Sequence, residues 1–226
     1  MMVRKQEAEV VSISQKMEGV YTLEIKSLGR KFVYQPGQFL HLAIDAYDPS
    51  SNWPESRCFS MQSSPQEENI RITYTVSGSY TKRMANELKI GSKVMLKLPF
   101  GDLFTKEHHK EKSVFIAGGT GITPFLSLFT HESFKAYEAP QIYLGFRSKS
   151  FHIYQEELNN LKNKNASVQL FYQDTDGILD IEKIFQENGI EASYFISGPQ
   201  LMIKIFKQSL INYGVSENSV LTDDWE

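Results

Sequence analysis

This sequence predicts two domains of different class, a β domain followed by an α/β domain: a six-stranded antiparallel barrel, then a five-stranded parallel sheet with helices. Three observations carry that prediction. A chain of 226 residues accommodates one or two domains at an ordinary ~150 residues each. Up to about Pro99 it offers short β-rich runs separated by turn residues, with one helical interruption. Beyond residue 113 strands and helices alternate, as they do in βαβ units. The expected domains are residues 1–106 and 107–226.

In the first domain strands are expected over 9–16, 20–26, 38–44, 57–62, 70–76 and 93–98, with a helix over 81–88. Alternation supports them: Tyr21, Leu23 and Ile25 share one face, as do Ile70, Ile72, Tyr74 and Val76. Short antiparallel strands with turn punctuation close most readily into a barrel. Residues 105–112 are charged and carry no apolar face, which suits a connection, with His108 and His109 expected in solvent. Strands then fall at 114–117, 141–146, 168–172, 194–197 and 220–221. Helices are expected near 122–131, 153–163, 178–188 and 200–213, giving a parallel sheet with helices on both faces; in a doubly wound order 3-2-1-4-5 its first and fourth strands would be neighbours.

Composition excludes several function classes. Lys and Arg number 24 against 27 Asp and Glu, a net charge of −3, so no basic surplus exists for nucleic acid. A single cysteine, Cys58, rules out an internal disulfide and an all-thiolate zinc or iron–sulfur site. No metal ligand spacing stands out among the histidines. The longest apolar stretch, 114–129, is broken by three glycines and Pro124, so no membrane span is expected. The first residues lack the apolar segment of a secretory signal, which leaves a cytoplasmic location as the expectation.

The strongest local signal runs over residues 114–124, where a buried strand enters Gly118, Gly119, Thr120 and Gly121 and Pro124 opens a helix. Missing Cβ atoms let a phosphate approach the backbone, and a helix start offers free N–H groups. A tight βα turn with no ligand fits the same residues. Ser197, Gly198 and Pro199 end the fourth strand of this domain, next to the first in the expected order, so both turns line one crevice. In the barrel, Arg57 and Phe59 lie on one side of a strand, an anion fork beside a flat aromatic. Gly78, Ser79 and Thr81 open the barrel helix. A rim arginine, a core phenylalanine and a capping threonine satisfy that pattern equally.

These motifs, in this order, resemble the ferredoxin–NADP reductase superfamily over essentially the full length. The family's R-x-Y-S run is matched by Arg57, Phe59 and Ser60, and its glycine-plus-hydroxyl turn by Gly78 to Thr81. Its G-G-T-G-x-x-P turn is matched by Gly118 to Pro124, and its C-G-P turn, imperfectly, by Ser197 to Pro199. A small stand-alone ferredoxin or flavin reductase looks most similar. The resemblance implies a flavin-binding barrel and a nucleotide-binding α/β domain.

It also implies residue roles. Phe59 packs on the isoalloxazine, Ser60 hydrogen-bonds near flavin N5, and Arg57, Ser79 and Thr81 hold the phosphates. Tyr74 is counted with the flavin-binding residues. Thr120 sits by the nicotinamide and Gly118, Gly119 and Gly121 by the dinucleotide phosphates, with Gly198 and Pro199 in the facing turn. Ser60, Ser197 and Asp223 are the catalytic candidates, and Trp225 covers the flavin unless the tail is simply frayed. Phe59 and Ser197 depart from the family's Tyr and Cys.

The implied activity is hydride transfer from NAD(P)H to bound FAD and electron delivery to a separate acceptor, a protein such as ferredoxin or flavodoxin or a free small molecule. FAD rather than FMN rests on the resemblance alone. The alternatives are a flavin reductase acting on free flavin, and a non-catalytic electron-transfer subunit of a larger complex. NADPH-using members grip the 2′-phosphate with a Ser-Arg pair, and the matching positions here are Gln173 and Asp174, which favours NADH. Arg147 is the counterweight, since its charge could reach a 2′-phosphate.

Overall fold

A computed structural model describes residues 2–223, and the chain divides into compact units Met1–Asp102 and Leu103–Glu226. The change of unit therefore falls before Leu103 rather than after residue 106. Leu103, 4 % exposed, and Phe104 pack into the second unit's core, which draws this stretch out of the connection.

The first unit holds β1 (Arg4–Met17), β2 (Val20–Ser27), β3 (Phe39–Ala43), β4 (Arg57–Ser60), β5 (Ile70–Thr75), α1 (Ser79–Glu87) and β6 (Lys93–Phe100). Their order is β4-β3-β6-β1-β2-β5, all antiparallel. The two ends of that order meet where Gln62 N–H donates to Arg71 O (2.8 Å), which nearly closes the expected barrel. Gly19, at φ +72°, makes the tight β1–β2 turn. Leu23, Ile25, Ile70, Ile72 and Tyr74 fill the interior, as their alternation predicts. β1 begins five residues before its expected start, because residues 4–9 pair with β6 while 8–17 pair with β2. Backbone pairing on a second strand needs no apolar pattern, so the charged start was not readable as strand.

Outside the barrel wall, Lys5 and Lys97 lie directly opposite one another on β1 and β6. Like charges so placed repel. Aromatic faces offset this: Lys5 Nζ sits 4.2 Å over Tyr47 and Lys97 Nζ 4.4 Å over Trp53. The segment between β3 and β4 is thereby held against the wall.

The second unit holds β7 (Ser113–Gly118), α2 (Thr123–Phe129), β8 (Gln141–Phe146), α3 (Gln155–Asn159), β9 (Ser167–Tyr172), α4 (Ile181–Asn188), β10 (Ser193–Ser197), α5 (Gln200–Asn212) and β11 (Val220–Thr222). Its sheet order β11-β10-β7-β8-β9 is the doubly wound 3-2-1-4-5, which puts the first and fourth strands side by side, and every pair is parallel. Alternate residues face opposite cores. Phe115, Phe195 and Leu144 join α2 on one side, while Ile116, Tyr143 and Ile196 join Ile184 and Phe206 on the other. Strands covered on both faces read as continuous apolar runs.

Two expectations are corrected here. The helix expected over 153–163 is only Gln155–Asn159. Leu161 and Asn163 turn inward instead, and the Asn163 amide donates to the carbonyls of Phe134 and Tyr137. His108 is half-buried rather than solvated: it stacks on Tyr137 (5.6 Å), meets Phe195 edge-on (5.0 Å) and contacts Tyr137 Oη at 2.7 Å. Burial pushes its pKa below the usual imidazole value. His109 stays exposed. Among the described residues no helix is long and apolar enough to cross a membrane.

Candidate functional site

The barrel unit presents the N-terminus of α1. A Cβ built on Gly78 meets nothing within 4 Å, and Gly78 has an extended backbone at φ −142° that any residue adopts. Neither packing nor backbone strain calls for glycine there. No side chain caps this end of α1. The Thr81 hydroxyl instead accepts from Ser77 N–H (3.0 Å) and Gly78 N–H (3.1 Å), shaping the turn from inside the helix. Open space before unpaired helix N–H groups suits an anionic group such as a phosphate. We expect Gly78→Ala to melt within roughly 1 kcal/mol of the native protein, yet to weaken binding of a phosphate-bearing flavin. Equal affinity in a titration of both proteins would mean that Gly78 faces no ligand.

Arg57, on the neighbouring rim, is held on three sides. Its Nη2 donates to Glu55 Oε1 (2.8 Å), its Nη1 to Ser56 O (2.9 Å), and its guanidinium lies 4.8 Å over the Tyr80 ring. Tyr80 is pinned in turn: its hydroxyl donates to Leu42 O (2.7 Å) and accepts from Ile44 N–H (3.1 Å). Burial pushes its pKa up to about 12, so it stays a neutral phenol. Glu55, Tyr80 and Arg83 were not singled out in the sequence. Their one signal is proximity to Arg57 and to the Gly78–Thr81 turn.

Phe59 is packed as a core residue, 8 % exposed and edge-to-face with Tyr74 at 6.0 Å. Tyr74 itself is 3 % exposed and stacks on Tyr21 (5.6 Å). The stacking surface implied for Phe59 is thus largely covered in this packing. Ser60 is buried beside it at the end of β4, and Ser79 is exposed at the start of α1. Cys58 lies 3.5 Å from His41 Nε2, and burial pushes the thiol up and the imidazole down, so both stay neutral.

In the second unit the two glycine turns meet. β7 runs through Gly118 into a 3₁₀ turn over Gly119–Ile122, and α2 follows with Pro124 in its first turn. A Cβ on Gly121 would fall 2.4 Å from Gly198 Cα, and one on Gly198 3.0 Å from Gly118 N. A Cβ on Gly118 would fall 3.0 Å from Pro199 Cδ. Close backbone approach therefore accounts for glycine at 121 and 198, and packing against the Pro199 ring and the Met202 side chain for glycine at 118, before any ligand is considered. Gly119 differs: it has space around it and φ +56°, so only its backbone conformation favours glycine. Thr120 lies half-exposed between them, its carbonyl accepting from the Thr123 hydroxyl (2.9 Å).

Ser197 and Asp223 are brought together. Ser197 Oγ donates to Asp223 Oδ2 (3.2 Å), and Asp223 N–H donates to Ile196 O (3.0 Å). β11 places that carboxylate, continuing its pairing with β10 by one residue. Arg147 and Asp174 also share one place, the adjacent ends of β8 and β9, where Asp174 N–H donates to Arg147 O (3.2 Å). Both side chains are exposed, and the Arg147 guanidinium lies 5.8 Å over Phe151. Trp225 lies outside the described residues.

Known proteins resemble this chain in sequence and in fold. Residues 115–208 match the oxidoreductase NAD-binding domain family. The flavohemoprotein of Rhizobium meliloti is 22 % identical over 223 residues, covering 87 % of this chain and 54 % of that protein. The propane 2-monooxygenase reductase component of Mycolicibacterium goodii is 28 % identical over 158 residues, 68 % of this chain and 44 % of that one. The chain spans about half the length of the curated relatives it matches. Among solved structures, a ferredoxin NADP+ reductase from Neisseria gonorrhoeae with bound FAD and NADP superposes at TM-score 0.78. It is 18 % identical, over 93 % of this chain and 92 % of that one. The ferredoxin reductase in carbazole 1,9a-dioxygenase superposes at 0.79 and 18 % identity, over 100 % of this chain and 70 % of that one. Residues 115–208 of the second unit thus match the oxidoreductase NAD-binding domain family, and the chain as a whole has the fold of these ferredoxin reductases.

Proposed function

We propose that this protein is an NAD(P)H-dependent flavoprotein reductase that takes FAD into its barrel unit and passes electrons to a separate acceptor. The observation that carries the reading is an oxidoreductase NAD-binding domain joined to a barrel whose α1 N-terminus is open at Gly78. FAD, when bound, supplies the hydride acceptor and the onward electron chemistry. The chain's own residues bind and orient. Arg57, the Gly78–Thr81 turn and the N–H groups of α1 hold phosphates. Ser60 donates toward the reacting edge of the ring, and Thr120 with the Ser197–Asp223 pair orients the nicotinamide.

The single cysteine cannot hold an iron–sulfur cluster, so no such acceptor lies within these residues. Relatives named as a monooxygenase reductase component and as a ferredoxin reductase support a protein acceptor. The second reading, free flavin as a substrate, is favoured by one observation: Arg57 already has an anionic partner in Glu55.

The test is an absorbance titration with FAD, followed by anaerobic NADH. Uptake of FAD and loss of its blue band on adding NADH are expected. Failure to take up FAD overturns the assignment, while uptake without reduction by nicotinamide favours a non-catalytic subunit. Catalytic turnover of added flavin without retention favours the second reading.

Ser60→Ala is expected to slow flavin reduction by roughly tenfold or more, since a donor helps most where charge develops. Its flavin content should hardly change, because the phosphate contacts lie elsewhere. Stopped-flow reduction at the native rate would leave Ser60 as a buried strand-end hydroxyl.

A further inference from the structure

Among the described residues, the ion-pair network that includes Arg57 holds more negative than positive charge. Glu55 binds Arg57 at 2.8 Å, and Arg83 binds Asp45 at 2.9 Å and Glu87 at 3.0 Å, with Glu55 a further 3.9 Å from Arg83. This network sets two guanidiniums against three carboxylates, and it spans the β3–β4 segment, β4 and α1. A phosphate arriving at Arg57 would meet a cation whose charge is already matched.

We infer that Glu55 is an internal competitor for the phosphate site, so that flavin nucleotide is held weakly enough to exchange. The inference rests on the flavin reading above and deepens it. Arg57 does not need Glu55 to stay in place, because the Ser56 carbonyl and the Tyr80 ring face hold its guanidinium independently. Removing the carboxylate charge therefore frees an N–H and a positive charge without losing the orientation. Glu55 is about half exposed, at 51 %, and packs in neither core, so the fold tolerates its replacement. Asp45 and Glu87 bind Arg83 rather than Arg57 and leave this competition to Glu55.

Flavins of different charge separate this role from a structural one. FAD carries a pyrophosphate, whereas riboflavin has the same ring and no phosphate. The full-length native chain, Glu55→Gln, Glu55→Ala, Arg57→Ala and the double variant Glu55→Gln/Arg57→Ala are titrated with each flavin, read by quenching of flavin fluorescence. Both Glu55 variants should bind FAD more tightly by roughly threefold to thirtyfold, the range for one half-exposed charge. Riboflavin affinity should not change. With Arg57 absent, the Glu55 substitution should yield no gain.

Unchanged or weaker FAD binding by both Glu55 variants overturns the inference and makes Glu55 a support for Arg57. An equal gain for riboflavin also overturns it, since that gain would come from the loop and not from phosphate. FAD binding by none of the proteins, native included, removes the flavin reading itself. That outcome is distinct from native binding that Glu55 leaves untouched.

Discussion

Gly121→Ala should destabilise the second unit by about 3 kcal/mol or more and abolish nucleotide binding with it. A Cβ there lies 2.4 Å from Gly198 Cα and 2.5 Å from Gly198 N. No side chain can rotate aside, since the obstacle is backbone. The turn after β10 must shift, and with it the start of α5. Thermal unfolding is the measurement: for a domain of this size a loss of ~3 kcal/mol lowers Tm by roughly 10 °C. Gly119→Ala is the control, because its Cβ meets nothing and only the φ of +56° resists, a cost of about 1–2 kcal/mol. A Gly121→Ala protein that melts with the native one would refute the contact between the two turns. If both variants lose equally, the backbone conformation of the turn matters and the approach of Gly198 does not.

NADH should be preferred to NADPH by roughly tenfold to a hundredfold in kcat/KM. Asp174 extends from the end of β9 and would face a 2′-phosphate with its carboxylate, while a ribose hydroxyl could donate to it. Two unit charges ~4 Å apart repel by ~1 kcal/mol in water-like surroundings and ~4 kcal/mol at an effective dielectric near 20. Asp174 is exposed, which selects the lower part of that span. Each ~1.4 kcal/mol is a factor of about ten. Arg147 opposes this, being anchored one hydrogen bond away, and among the described residues no ion pair joins the two. Asp174→Arg should therefore reverse the preference by adding a second cation beside Arg147. Equal or better use of NADPH by the native protein would transfer specificity to Arg147.

The architecture was legible where side-chain pattern and chain connectivity agree. Alternation along β2 and β5 marks the barrel interior, and the βαβ rhythm leads to the parallel sheet found. Ser197 and Asp223 could be named separately, but their hydrogen bond depends on β11 pairing beside β10, a contact no local pattern encodes. Residues that act through distant partners were not legible. Asn163 reads as a helical polar residue until the carbonyls of Phe134 and Tyr137 are seen waiting for it. Glu55 reads as a solvated charge, although it pairs with Arg57. His108 sits in a charged run, and only the aromatic surfaces of Tyr137 and Phe195 draw it in. Phe59 fits a ligand-facing motif and a core position equally well in sequence, and in the fold it is 8 % exposed against Tyr74.

The meeting of the Gly118–Gly121 turn with Gly198 has a consequence for how the second unit acquires its binding site. The two turns belong to β7 and β10, which are neighbours in the sheet but far apart along the chain. The chain passes through β8 and β9 between them, so β10 docks against β7 only by closing that long loop. Contacts of such long sequence separation form late and slow folding. A partly folded unit with β7, β8 and β9 in place would carry the glycine-rich turn but lack the wall opposite it. A nucleotide held between the two turns would therefore recognise only the completed sheet. By mass action it would stabilise the native state, not its precursors, and should slow unfolding more than it speeds folding.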